Sequence, residues 1–202
     1  MERKDSYLTI RKHSTGNFRD RGSRFLAFAY QIDKVDQVHD ILKQLRRKYH
    51  DARHHCYAYS LGAAKKICRA YDDGEPSNSA GKPILGQIQA FDLSNILVVV
   101  VRYFGGTLLG VGGLINAYRS ATADALQNAE IIQMTEDEML TIYFPYPVMN
   151  QVMKILTEEG MKVLRKEFTE TCIIETSIRI SQAERVKNRL QKLQEVKVFN
   201  SY

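Results

Sequence analysis

The sequence predicts an α+β protein in two parts, and three observations carry that expectation. Apolar residues switch repeatedly between a two-residue and a 3.6-residue period, so strands and helices alternate along the chain. The unbroken aliphatic run at residues 96–101 has the pattern of a strand covered on both faces. Residues 135–202 follow the order β-α-β-β-α-β, that of a ferredoxin-like split βαβ unit.

Taken in order, residues 8–18 and 24–32 are rich in β formers and flank a polar turn at 17–22, which predicts a hairpin. Val35, Val38, Leu42, Leu45 and Tyr49 recur at helical spacing, giving an amphipathic helix over 34–49. Residues 56–61 form a strand stopped by Gly62. Residues 62–83, with their charges, Gly and Pro, are expected as one long loop of the kind that is more often functional or mobile. A short helix at 84–91, the strand at 96–103, a glycine-rich turn and a helix at 114–129 complete the first part.

The boundary falls near Met134, ahead of the polar run at 135–138, giving domains 1–134 and 135–202. The second contains strand 139–144, helix 148–159, strands 161–168 and 172–180, helix 182–194 and strand 196–199. Pro147 suits a first helical turn and Gly160 a helix end. Ser181 with Glu184 three residues on has the form of a capping box. Met134, Met139, Met149, Met153 and Met161 are expected as core filler.

Composition is that of an ordinary globular protein: 44% hydrophobic, 26% charged and no Trp. No apolar run approaches the roughly 20 residues of a membrane-spanning helix. The opening MERKDSYLTIRK has no apolar stretch after its charges, so no secretory signal is expected. Cys56, Cys68 and Cys172 lack C-x-x-C spacing, which points to neither a disulfide framework nor a zinc site. A soluble cytoplasmic protein with no membrane partner is the expectation. All of the net charge of +6 lies in residues 1–134, while residues 135–202 balance ten basic against ten acidic side chains. That asymmetry suits a polyanionic partner for the first part, although a charge of this size also serves solubility.

Three clusters could carry chemistry. Gly105, Gly106, Gly110, Gly112 and Gly113 fall within nine residues between a strand and a helix, where glycine permits positive φ and close approach. The following helix N-terminus favours an anion. The spacing from Gly105 to Gly110 is that of a phosphate-binding loop, but Val111-Gly112 stand where Lys and Ser/Thr are required. Gly110-x-Gly112 is followed by Ile115 where a dinucleotide fingerprint needs its last glycine. The second cluster, Asp72, Asp73 and Glu75, could hold a hard cation or act as an acid/base pair. A turn-rich loop whose side chains bond local backbone is the plainer reading, so no metal site is expected. The third sets Lys43, Arg46, Arg47, Lys48, His50, Arg53, His54 and His55 among Tyr49, Tyr57 and Tyr59, a mixture suited to phosphates and bases. His54 and Cys56 share a strand face but lack an orienting third group, so no catalytic residue and no cofactor are expected.

The runs ARHHCYAY (residues 52–59), DDGEPSNSAGKPIL (72–85) and VVVVRYFGGTLLGVGGLINAY (98–118) resemble the signature blocks of the IMPACT family, in its bacterial YigZ-type branch. Order and spacing match across roughly residues 20–130, and the second part resembles the small C-terminal domain of those bacterial members. Asn78-Ser79 stand where Gly-Thr is usual, and Leu108 where many members carry Lys, so residue 108 brings no charge to an anion site. The resemblance implies a first domain like the second domain of a ribosomal small-subunit protein, a fold also used by elongation factor G and some small-molecule kinases. It implies a second domain like the ferredoxin-like C-terminal domain of elongation factor G. The eukaryotic relatives are translational regulators acting on the pathway that senses amino-acid starvation, partly through an additional N-terminal domain, and that role is not carried over.

The leading functional expectation is a non-enzymatic protein that binds RNA or the ribosome, with a translation-related protein as a further partner, in regulation of translation. The alternatives are an enzyme acting on a phosphorylated small molecule through the 72–75 loop and the 105–113 turn, or a protein-interaction module. The expected nucleic-acid or anion contacts are Arg102, Gly105, Gly106, Gly110, Gly112, Gly113, Arg46, Arg47, Arg53 and His54. Arg102, a permanent charge ending an apolar strand, needs a partner. It is expected to meet Asp72, Asp73 or Glu75 in one surface groove, with Arg102 at the floor and Gly112-Gly113 at the rim.

Overall fold

A computed structural model describes residues 5–201. It divides into two compact units, one of residues 6–134 and the other of residues 135–201 with Asp5.

The first unit begins with β1 (Ser6–Ile10), β2 (Ser14–Asp20) and β3 (Ser23–Gln31), followed by α1 (Asp36–Lys48) and β4 (His54–Leu61). Then come β5 (Ile67–Tyr71), α2 (Gly81–Ala90), β6 (Ile96–Tyr103), α3 (Gly110–Gln127) and β7 (Ile131–Thr135). The main sheet has the order β2-β3-β6-β4-β5, with every neighbouring pair antiparallel. Its central strand β6 is buried from Ile96 to Arg102. Val98 and Val100 face α2 and α3 with Phe25, Ala58, Ile84 and Tyr118. Leu97 and Val99 face α1 with Val38, Leu45, Tyr57 and Tyr59. A strand clothed on both sides has no reason to alternate, which is why it is one aliphatic run.

Three expectations change here. The predicted hairpin is β2 with β3, but the segment before it is a separate strand, since β1 leaves the sheet to pair with β7. The predicted loop at 62–83 contains β5, an edge strand with four of five residues exposed. An edge strand held mainly by backbone pairing to β4 carries no apolar alternation to read. The helix expected from Leu114 begins at Gly110, because its first turn is solvent-exposed and so lacks apolar residues facing a core.

The second unit contains β8 (Asp137–Pro145), α4 (Met149–Glu158), β9 (Lys162–Phe168), β10 (Thr171–Arg179), α5 (Ile180–Gln191) and β11 (Lys197–Asn200). Its antiparallel sheet, β11-β8-β10-β9, packs Leu140, Ile142, Phe144, Cys172 and Ile174 against Val152, Leu156, Val186 and Leu190. This is the expected ferredoxin-like arrangement, and Gly160 (φ 61) ends α4's turn as foreseen. The expected capping box is not formed. Ser181 lies inside α5, and its hydroxyl donates to the carboxylate of Asp5, which also accepts from Arg179 Nε at 3.1 Å. Met134 and Met139 are exposed rather than core, because both lie where the chain leaves one unit for the other.

Candidate functional site

Two charge clusters of the first unit deserve comparison as sites. The loop between β5 and α2 distributes its three carboxylates among five elements. Asp72 accepts from the backbone N–H groups of Ala80 (3.0 Å) and Gly81 (2.8 Å), so a carboxylate sits on the positive end of α2. Asp73 accepts from the His55 amide of β4 (2.7 Å) and from Arg46 of α1 (3.0 Å). Glu75 accepts at one oxygen from both Arg102 of β6 and Tyr118 of α3, each at 2.7 Å.

Arg102 and Glu75 are almost wholly enclosed, with side chains 7% and 3% exposed, and Phe25 and Phe104 lie against the guanidinium. Arg102 therefore meets the acidic loop, but as an interior pair whose charges cancel. The expected open groove with Arg102 at its floor gives way, because a guanidinium already neutralised and covered offers little to an arriving anion. Beside the pair, Cys56 Sγ lies 2.9 Å from the Asp72 carbonyl oxygen and 3.3 Å from the Tyr118 hydroxyl. Burial pushes both the Cys56 thiol and the Tyr118 hydroxyl far above their usual ranges. Cys56 is thus buried and held toward its protonated thiol form. His54 Nδ1 lies 2.9 Å from the Asp73 carbonyl oxygen. Among the described residues no group of three or more His, Cys, Asp or Glu side chains could hold a metal ion.

The glycine turn answers to backbone geometry. A Cβ on Gly105 would lie 2.0 Å from the Gly22 carbonyl carbon and 2.1 Å from the Ser23 nitrogen, and Gly106 turns the chain at φ 86. Gly112 and Gly113 sit in α3 without positive φ, and a Cβ on Gly112 would meet open space. Gly112 therefore does not use the positive φ open to glycine, since helix φ suits any L residue. Phe104, Leu108 and Val111 leave this turn exposed and apolar.

The second cluster is a cleft of about 840 Å³ between α1 and the β4–β5 edge of the sheet. α1 buries Val38 and Leu45 and carries Arg46, Arg47 and Lys48 in its last turn, where cations suit the helix dipole. Lys43, Arg46 and Arg47 share its outer face, and with His39 and with His50 just beyond the helix end they form one wall. Arg69 and Tyr71 of β5 and Tyr57 of β4 form the other, and no carboxylate is among the lining residues. Arg53 is exposed but outside this lining, and His54 of β4 turns to the acidic loop instead. Arg69 and Tyr71 were not foreseen, because the strand that presents them was hidden in the predicted loop.

A two-unit α+β protein with a basic, aromatic cleft and a closed acidic loop is the class these features define. The family model for the Impact N-terminal domain matches residues 21–126. IMPACT family member YigZ of Escherichia coli (strain K12) is 31% identical over 158 residues, covering 77% of this chain and 78% of that protein. IMPACT family member YvyE of Bacillus subtilis (strain 168) is 27% identical over 86% of this chain and 80% of its own. A crystal structure of a hypothetical protein superposes with a TM-score of 0.74 at 26% identity, covering 98% of both chains. The chain belongs to the IMPACT family. No helix among the described residues is long and apolar enough to cross a membrane.

Proposed function

We propose that this protein binds nucleic acid through the cleft between α1 and β5 and acts in translation as a binding protein rather than an enzyme. The observation that carries this reading is the composition of the cleft: Lys43, Arg46, Arg47 and Arg69 around two tyrosines, with no lining carboxylate. Phosphate neutralisation by such side chains supplies most sequence-independent affinity for nucleic acid. All of the chain's net charge lies in the part that holds the cleft. Translation is the setting that membership of the IMPACT family supports, and RNA or the ribosome is the ligand within that setting.

A salt series of RNA mobility shifts on the full chain tests this. If the four cationic side chains each neutralise one phosphate, the logarithm of affinity falls with log salt at a slope of about −3 for single strands. The combined Lys43→Ala, Arg47→Ala and Arg69→Ala variant should lose most of that slope with little change in thermal stability, since all three side chains are exposed. Absence of RNA binding at low salt, or unchanged binding by the triple variant, would sink the reading.

A further inference from the structure

We infer that the cleft reads unpaired bases: it takes a short single-stranded segment, with one base on the exposed ring of Tyr71 and flanking phosphates on Arg46, Arg47 and Arg69. The inference rests on the nucleic-acid reading above and adds what form of nucleic acid the cleft selects.

The floor of the cleft supplies the reason. A duplex presents charge and groove edges but hides the faces of its bases, so a basic helix alone would serve to bind it. Here Tyr57 and Tyr71 are cross-strand partners on β4 and β5, their ring centroids 5.3 Å apart at 37°. Tyr57 is pressed into the sheet at 8% exposure, stacked at 5° on Tyr59, while Tyr71 stands 43% exposed above it. Tyr71 is thus a ring braced from beneath, which leaves a stacking surface inside a cationic cleft. Stacking on such a ring is available only to a base with a free face, and every base has one.

Size and charge layout point the same way. About 840 Å³ lies in the range of small-ligand sites, room for a nucleotide or two and not for a double helix. On α1 the cations recur at positions 43, 46 and 47, so the basic stripe runs about 6 Å along the helix axis, and His50 follows just beyond the helix end. A stripe matches a backbone carrying successive phosphates, whereas a lone nucleotide would call for cations converging on one point. Arg46 is already oriented in the free protein, because Asp73 holds it at 3.0 Å and is itself fixed by the His55 amide. Half of the Arg46 side chain remains open to a phosphate.

Fluorescence anisotropy of the full chain with four probes tests this. The probes are a labelled adenosine decanucleotide, the same strand within a hairpin duplex, a decanucleotide of abasic sites, and adenosine monophosphate as competitor. The single strand should bind at least about tenfold more tightly than the hairpin or the abasic strand. Tyr71→Ala should remove about that factor for the single strand alone, and Tyr71→Phe should retain it, because the ring and not the hydroxyl is used. Arg47→Ala should weaken the single strand and the hairpin alike. The chain has no Trp, so quenching of tyrosine emission by the strand, lost in Tyr71→Ala, gives a second readout. Equal binding of the single strand, the hairpin and the abasic strand would overturn base reading while the nucleic-acid function stands. Competition by adenosine monophosphate at the decanucleotide's own affinity would overturn the extended strand in favour of a mononucleotide site. Failure of every probe to bind would remove the proposed function as well.

Discussion

The acidic loop and the basic cleft lie on either side of Arg46 and use charge in opposite ways. In the loop, Asp72, Asp73 and Glu75 each bind donors of the protein itself, and the Glu75–Arg102 pair is sealed between aromatic rings. In the cleft, Lys43, Arg47 and Arg69 face outward with no carboxylate in the lining, while Arg46 is shared with Asp73 of the loop. The loop and glycine turn are the most distinctive stretches of the sequence, yet the loop's carboxylates hold elements together and Gly105 and Gly106 answer to backbone geometry. The less conspicuous basic helix face is the surface that keeps Lys43 and Arg47 exposed. A motif can be distinctive because the fold is hard to build there, as well as because a ligand binds.

The sharpest way to break this contrast is Glu75→Ala. It strands the buried Arg102 guanidinium and should cost about 3–5 kcal/mol in urea unfolding, while protein that remains folded keeps its RNA affinity. A Glu75→Ala chain of ordinary stability that no longer binds RNA would make the loop a ligand site after all. Next in size, Gly105→Ala drives a Cβ into the backbone of Gly22 and Ser23 and should cost about 1–3 kcal/mol. Gly112→Ala, by contrast, meets open space at a helical φ and should stabilise by roughly 0.5–1 kcal/mol in the same unfolding measurement. Equal effects at the two positions would mean that the turn's glycines serve a ligand rather than the backbone.

The smallest effect concerns acid. Burial, assisted by the positive charge of Arg46, holds the His55 imidazole below its usual range, with Asp73 opposing. The folded protein then binds fewer protons than the unfolded chain once pH falls below about 6.5, so this contribution is full above that pH and declines on acidification. Thermal unfolding at pH 7 and pH 5.5 should show a modest loss that His55→Gln diminishes. A wild-type midpoint indifferent to this range would show that His55 does not couple the loop to protonation.

Much of the fold was legible because burial leaves a pattern. The run Ile96–Tyr103 announces a strand covered on both faces, and the 3.6-residue spacing of Val38, Leu42, Leu45 and Tyr49 announces α1. β5 was illegible for the converse reason: Ile67, Cys68, Arg69 and Tyr71 are exposed, and pairing to β4 needs only backbone. The candidate cleft was therefore half visible, its helical wall in the sequence and its tyrosine floor completed only by the strand pairing. Arg102 clearly required a partner, but which carboxylate it takes depends on where the loop crosses β6. The same loop, rich in residues that bond local backbone, gave no sign that each acid would reach a different element.

The strand order β2-β3-β6-β4-β5 has a consequence for how the chain is made. β3 and β4, joined through α1, are never neighbours; each pairs with β6, which is synthesised only after β5 and α2. From the emergence of residue 71 until that of residue 103, the nascent chain therefore has only two hairpins to form, β2 with β3 and β4 with β5, whose inner edges both lack a partner. Open edges of this kind invite pairing with other chains. The most aliphatic segment of the protein is the wedge that closes both at once, so the interval between emergence of Tyr71 and of Tyr103 is the period of greatest exposure to misassembly during translation.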